Sequence, residues 1–134
     1  MLPVVHPIPL SERTVSLSFP ARPDYVVLAR LALSAVCRLV PFGPDEIGDL
    51  KLAVTEGAAC FVADGSDQRL TFTFVLDDGL VVDIGGPTIT RRFGPGDADL
   101  SKAIIAATVD ESYWLDGRLR LVKRLVPPGS EPGE

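Results

Sequence analysis

Histidine is almost missing from this 134-residue chain. His6 is the only one, and it lies in the proline-rich stretch "MLPVVHPIPL". A lone imidazole on such an arm leaves no histidine-based triad on a rigid element and no His/Cys metal cluster. Cysteine is nearly as scarce. Cys37 and Cys60 both fall inside helical patterns and read as buried free thiols rather than a disulfide or a metal pair. Basic residues are outnumbered, 13 Lys and Arg against 18 Asp and Glu, for a net charge of −5. Phosphate surfaces are held by clusters of Lys and Arg, so this balance argues against nonspecific binding to DNA, RNA or anionic membrane; it suits a basic protein partner. No apolar run is long enough to span a bilayer. The first residues lack the basic region of a secretory signal, so the expected location is cytoplasmic. No internal repeat breaks the chain into copies.

What is present is a core. Apolar residues make up 46% of the chain, enough for one domain with a real interior. Residues 1–12 read as a flexible N-terminal arm, 13–126 as the folded domain, and 127–134, "PPGSEPGE", as a tail disordered by composition. "TVSLSFPAR" alternates, with Val15, Leu17 and Phe19 on one face, and predicts a strand. Pro23 and Asp24 suit a helix start, followed by an apolar stripe of Leu28, Leu31, Ala32, Ala35 and Leu39. After "PFGP" a second helix opens at Pro44, Asp45 and Glu46 and runs to about Asp64. "LTFTFVL" and "LVVDI" flank a "DDG" turn and predict a hairpin. "GGPTITRRFGPGDAD" reads as a loop exposing Arg91 and Arg92, Asp99–Asp110 as a third helix, and "RLRLVKRLV" as a last strand with Arg118, Arg120 and Arg124 outward. The order β-α-α-β-β-α-β, with its hairpin, excludes an all-parallel doubly wound sheet. It predicts a two-layer α/β sandwich, a mixed, mostly antiparallel sheet covered on one face by helices.

The second helix poses the chemical question. Ile47, Leu50, Val54, Ala58 and Phe61 form its apolar stripe. On the flank, Asp49, Ala53, Glu56, Cys60 and Ala63 form a second stripe, so Glu56 stands among small side chains one turn before Cys60. A carboxylate at the edge of a core, facing a shallow cavity, is a candidate general base. Helical periodicity alone favours the other reading, in which Glu56 lies at the rim and pairs with a nearby Lys or Arg.

The segment "DLKLAVTEGAACFV" resembles the conserved helix of the anti-sigma-factor serine kinases, a branch of the histidine-kinase-like (GHKL, Bergerat-fold) ATPases. The resemblance spans about residues 14–126 and takes in "LVVDIGG", "VDESYW" and "RLRLVKRL". It implies that Glu56 is the catalytic base acting on a serine hydroxyl or a water. Asp83 and Gly85 then correspond to the Asp-x-Gly-x-Gly motif that binds the adenine of ATP or ADP, although the second glycine, Gly86, is displaced. The family's Asn, which ligates Mg²⁺ at the ATP phosphates, is here Cys60, and a neutral thiol is a poor ligand for a hard, oxygen-seeking cation. The phosphate-cradling lid is replaced by "GPGDADLSKAI", where Gly94 and Gly96 echo it weakly and Asp97 and Asp99 would repel phosphate. A threonine common before the last strand is Gly117.

Three of these changes touch metal and phosphate, so the expectation is a degenerate ATPase scaffold with little binding of ATP, ADP or Mg²⁺. The function expected is that of an anti-sigma-factor-like regulator binding a sigma factor or its STAS-domain antagonist; the alternative is an active kinase phosphorylating that antagonist. The resemblance also implies a homodimer formed through the N-terminal strand region. Arg22, Arg30 and Arg38 mark the exposed side of the first helix as a candidate partner surface.

Overall fold

Strands form where the two-residue alternation is strictest. In a computed structural model that describes residues 13–86 and 97–125, five of them assemble: β1 Arg13–Pro20, β2 Arg69–Asp77, β3 Gly79–Gly85, β4 Glu111–Leu115 and β5 Arg118–Arg124. They lie side by side in the order β1-β2-β3-β5-β4, and every pairing is antiparallel. Alternation then sorts the side chains. Phe72 stands opposite Ile84, Phe74 opposite Val82, and Ile84 opposite Leu119, so one face of the sheet is continuously apolar. Phe19, Phe72 and Phe74 stack along it, with ring centroids 5.8 Å and 6.1 Å apart. Each such side chain contributes about 1.5–3 kcal/mol by leaving water.

Three helices cover that face: α1 Val26–Val36, set between 3-10 turns at Pro23–Tyr25 and Cys37–Leu39; α2 Pro44–Ala59; and α3 Asp97–Thr108. α2 begins where Pro44 occupies the first turn and the Gly43 backbone N–H donates to Glu46 Oε1 at 2.6 Å. Leu33 of α1, Leu50 and Val54 of α2 and Ile105 of α3 are fully buried against the sheet. Gly57 lets α2 come close: a Cβ there would lie 2.8 Å from Leu119 Cδ2 and 3.0 Å from Ile84 Cδ1. No helix among the described residues is long and apolar enough to cross a membrane.

The sandwich architecture agrees with the sequence reading, and three details correct it. The sheet has a fifth strand, β4, between α3 and the last strand. Its five residues alternate weakly and include few β-branched side chains, and only the Asp116–Gly117 turn, with Gly117 at φ +72°, folds it back onto β5. α2 stops at Ala59, with Cys60 as its C-cap, rather than near Asp64. Most consequentially, the stripe of Leu28, Leu31, Ala35 and Leu39 on α1 faces solvent, and Ala29, Leu33 and Val36 face the core. α1 is apolar on both sides, so periodicity could not say which side turns inward. The N-terminal arm, the tail, and the loop carrying Arg91, Arg92, Gly94 and Gly96 lie outside the described residues.

The glycines give opposite outcomes by position. Gly79, in the β2–β3 turn, has φ +145°, and a Cβ there would run into the β5 backbone at Lys123 and Arg124. Gly79→Ala is expected to cost about 2 kcal/mol or more in stability by urea denaturation. Gly48 in α2 has open space around it, so Gly48→Ala is expected to add about 0.5–1 kcal/mol in the same measurement.

Candidate functional site

Glu56 sits on the fourth turn of α2, half-buried, one residue before the close approach at Gly57. α3 crosses beside it, and Ser101 Oγ donates to Glu56 Oε1 at 3.0 Å. Cys60, at the helix end, is buried, and its Sγ lies 3.5 Å from the Glu56 carbonyl oxygen, which accepts from it. The partner given to the Glu56 carboxylate is therefore a serine hydroxyl from a neighbouring helix; no ion pair to Glu56 is formed among the described residues. A serine in hydrogen-bond reach of a carboxylate is the arrangement of an acceptor hydroxyl and its base, and equally a tie between two helices.

A second tie runs nearby. Lys123 of β5, on the helix side of the sheet, donates from Nζ to the Thr108 carbonyl at 2.9 Å and lies 3.5 Å from Asp49 Oδ2. Together these contacts tie α2, α3 and β5 to one another.

Asp83 is elsewhere. Val82 and Ile84 on either side of it point into the core, so the alternation of β3 sends Asp83 to the face away from the helices. There Arg120, its cross-strand partner, takes both carboxylate oxygens, with Nε 2.9 Å from Oδ1 and Nη2 3.0 Å from Oδ2. The Asp83 side chain is 18% accessible. This bidentate fork raises the Arg120 pKa, chiefly through the hydrogen bond to Asp83. The same face carries Glu111, Tyr113 and Arg124. Glu111 is held below the ordinary carboxylate range, first by the Tyr113 hydroxyl and then by Arg124, and Tyr113 is pushed up by Glu111.

Gly85 borders an open hollow of about 390 Å³ with Gly86 and the β4–β5 turn, Leu115 to Arg118. Glu56, Cys60 and Asp83 do not line it. The structure thus brings Glu56 and Cys60 together and sets Asp83 and Gly85, two residues apart on β3, on the other face of the sheet. Among the described residues no three His, Cys, Asp or Glu side chains come together to hold a metal ion. Sequence reasoning missed Ser101 and the role of Arg120. Arg120 was legible, because Asp83 and Arg120 both fall between core positions of their strands; nothing in the sequence pairs Ser101 with Glu56.

The five-stranded sheet with three helices on one face is consistent with the histidine-kinase-like ATPase fold. No family model matches the chain. It is 32% identical over 104 residues to the serine-protein kinase RsbW of Bacillus pumilus and 30% identical over 102 residues to that of Bacillus subtilis, in each case over 72% of this chain and 64% of the relative. A shorter stretch of 42 residues is 45% identical to the serine-protein kinase RsbW of Listeria monocytogenes. The chain is thus a homologue of proteins named serine-protein kinase RsbW. It spans just under two thirds of the length of the Bacillus relatives.

Removing the Ser101 hydroxyl leaves a half-buried carboxylate short of a donor. Ser101→Ala is expected to cost about 1 kcal/mol by thermal or urea unfolding, and amide exchange is expected to speed up in the first turns of α3 more than in α1.

Proposed function

We propose that the chain is a regulator of the anti-sigma-factor type, which binds a sigma factor or a STAS-domain antagonist as a protein ligand and does so without phosphoryl transfer. One observation carries this reading. The position of the family's Mg²⁺ ligand is a buried thiol, Cys60, directed at the backbone of its own helix. A neutral thiol offers a hard cation no oxygen, so this donor set does not fit Mg²⁺. Asp83 adds support, because an adenine amino group would compete for carboxylate oxygens that Arg120 already occupies. Glu56, Cys60, Asp83 and Gly85 are on this reading the remnants of a base and a nucleotide cleft. Cytoplasmic location and self-association as a homodimer belong to the same reading.

A second reading, an active serine kinase, is favoured by the relatives' name, serine-protein kinase, and by the serine hydroxyl 3.0 Å from Glu56.

Capture from native lysate with ATP, with ADP and with neither separates the two. The binding reading expects a sigma factor or a STAS-domain protein in all three conditions; capture only with ATP selects the kinase, and capture of neither class rejects both. Calorimetry gives an independent check. Mg-ATP is expected to bind no tighter than about 100 μM, roughly −5.5 kcal/mol. Cys60→Asn, which restores an amide oxygen, is expected to introduce Mg²⁺ dependence into whatever nucleotide binding the chain has.

A further inference from the structure

α2 and α3 lie side by side, and two sets of contacts fix their direction. Glu56 of α2 meets Ser101 of α3. Seven residues earlier on α2, Asp49 meets Lys123, which also holds the carbonyl of Thr108, seven residues later on α3. The two helices therefore run antiparallel, and Leu52 of α2 comes opposite Ile104 and Ile105 of α3. Ile105 is buried beneath this contact, whereas Ile104 is part-exposed and Leu52 and Leu100 are 44% and 61% exposed. Ile104 lies one turn from Ser101 and Leu100 one turn from Ile104, so both stand on the flank of α3 that turns toward α2 and outward.

α2 turns a matching side outward. At roughly 100° and 1.5 Å per residue, Asp45, Asp49, Leu52 and Glu56 fall within about 60° of arc along about 16 Å of helix. The outer furrow between the helices thus has apolar side chains on both walls and carboxylates along one. Asp45 is exposed, and the Asp49 side chain stays 46% accessible beside Lys123. The lysines that the two helices carry stand elsewhere. Lys102 lies over the Trp114 ring, on the β4 side of α3. Lys51 lies toward Cys37, where its charge partly offsets the burial that pushes that thiol up.

Large exposed apolar side chains gathered on two packed helices mark a contact surface, and the charge beside them selects what fits. A second copy would bring like charge against like charge along the same furrow, so it does not suit. A furrow between two antiparallel helices accepts a third helix, whose ridge of side chains fills it.

We propose that this furrow docks a basic amphipathic helix of a partner protein. Apolar side chains one turn apart pack on Leu52, Ile104 and Leu100, and flanking Lys or Arg side chains reach Asp45 and Asp49. This rests on the regulator reading above and gives it a surface. The leucines supply most of the attraction; the carboxylates select a basic helix over an acidic one and speed the encounter.

The test is fluorescence anisotropy on the intact chain with three labelled peptides of about five helical turns: an amphipathic Leu/Lys helix, its Leu/Glu counterpart, and a Ser/Lys peptide of the same charge without the apolar stripe. The variants are Leu52→Ser/Leu100→Ser, Asp45→Lys and, on the outer face of α1, Leu31→Ser. All these positions are exposed, and circular dichroism with thermal unfolding checks that each variant is folded. The wild type is expected to bind the Leu/Lys helix at least about 10-fold tighter than either other peptide, and less tightly as salt is added. Leu52→Ser/Leu100→Ser is expected to weaken that binding by about 10-fold or more, Asp45→Lys by several-fold, and Leu31→Ser to leave it unchanged. Equal binding of the Leu/Glu helix, a double serine variant that binds like the wild type, or a loss as large in Leu31→Ser overturns the furrow site. The lysate capture described above, repeated with the double serine variant, separates this inference from the reading it rests on. Capture of a sigma factor or STAS-domain protein by the wild type alone supports both. Equal capture by the double variant overturns the furrow and leaves the reading; capture by neither protein rejects the reading and the furrow with it.

Discussion

The close contact of α2 with the β3–β5 pair is the constraint on which the other elements depend. It exists because Gly57 has no side chain where Leu119 and Ile84 reach up from the sheet. That contact sets the height of α2 over the sheet, and the helix then presents Glu56 sideways, toward α3, rather than down into the core. Once α2 is seated, Lys123 can reach Thr108 and Asp49, and α3 is held within reach of Glu56 from two directions. A bulkier residue at 57 would lift α2, and both ties would lengthen together.

The same apolar face divides the chemistry of the molecule into two compartments. Residues on the helix side, Glu56, Cys60, Ser101 and Lys123, interact through hydrogen bonds and one ion pair, Lys123 with Asp49. Residues on the open side form charge-assisted contacts, Asp83 with Arg120 and Glu111 with Arg124 across neighbouring strands and Tyr113 with Glu111 within β4. A strand of period two cannot send adjacent residues to the same side, so the burial of Val82 and Ile84 and the exposure of Asp83 are one event.

α1 shows the opposite situation, in which packing chose between two faces that composition left equal. Ala29 is small, and it, Leu33 and Val36 fill the space beside α2. Leu28, Leu31 and Leu39 are as apolar but were left outside. Hydrophobic burial is non-directional: it says that an apolar stripe belongs in a core, not which of two stripes or whose core.

How much was legible follows from these particulars. The strict alternation of Leu70, Phe72, Phe74 and Leu76, and of Leu80, Val82 and Ile84, determined the central hairpin and its buried face, because a period of two has one inward solution once a core exists. The Leu50, Val54 and Ala58 stripe likewise determined the inner face of α2 and left Glu56 on its flank. β4 was not legible, since its five residues carry little alternation and gain their partner only when the Asp116–Gly117 turn closes on β5. Nor was the partner of Glu56: Ser101 lies 45 residues away, on a helix whose position is decided by contacts with α2 and β4. Local pattern specifies which way a side chain points relative to its own element; which distant group it meets is settled only when the elements pack, since that meeting depends on the sum of all their contacts.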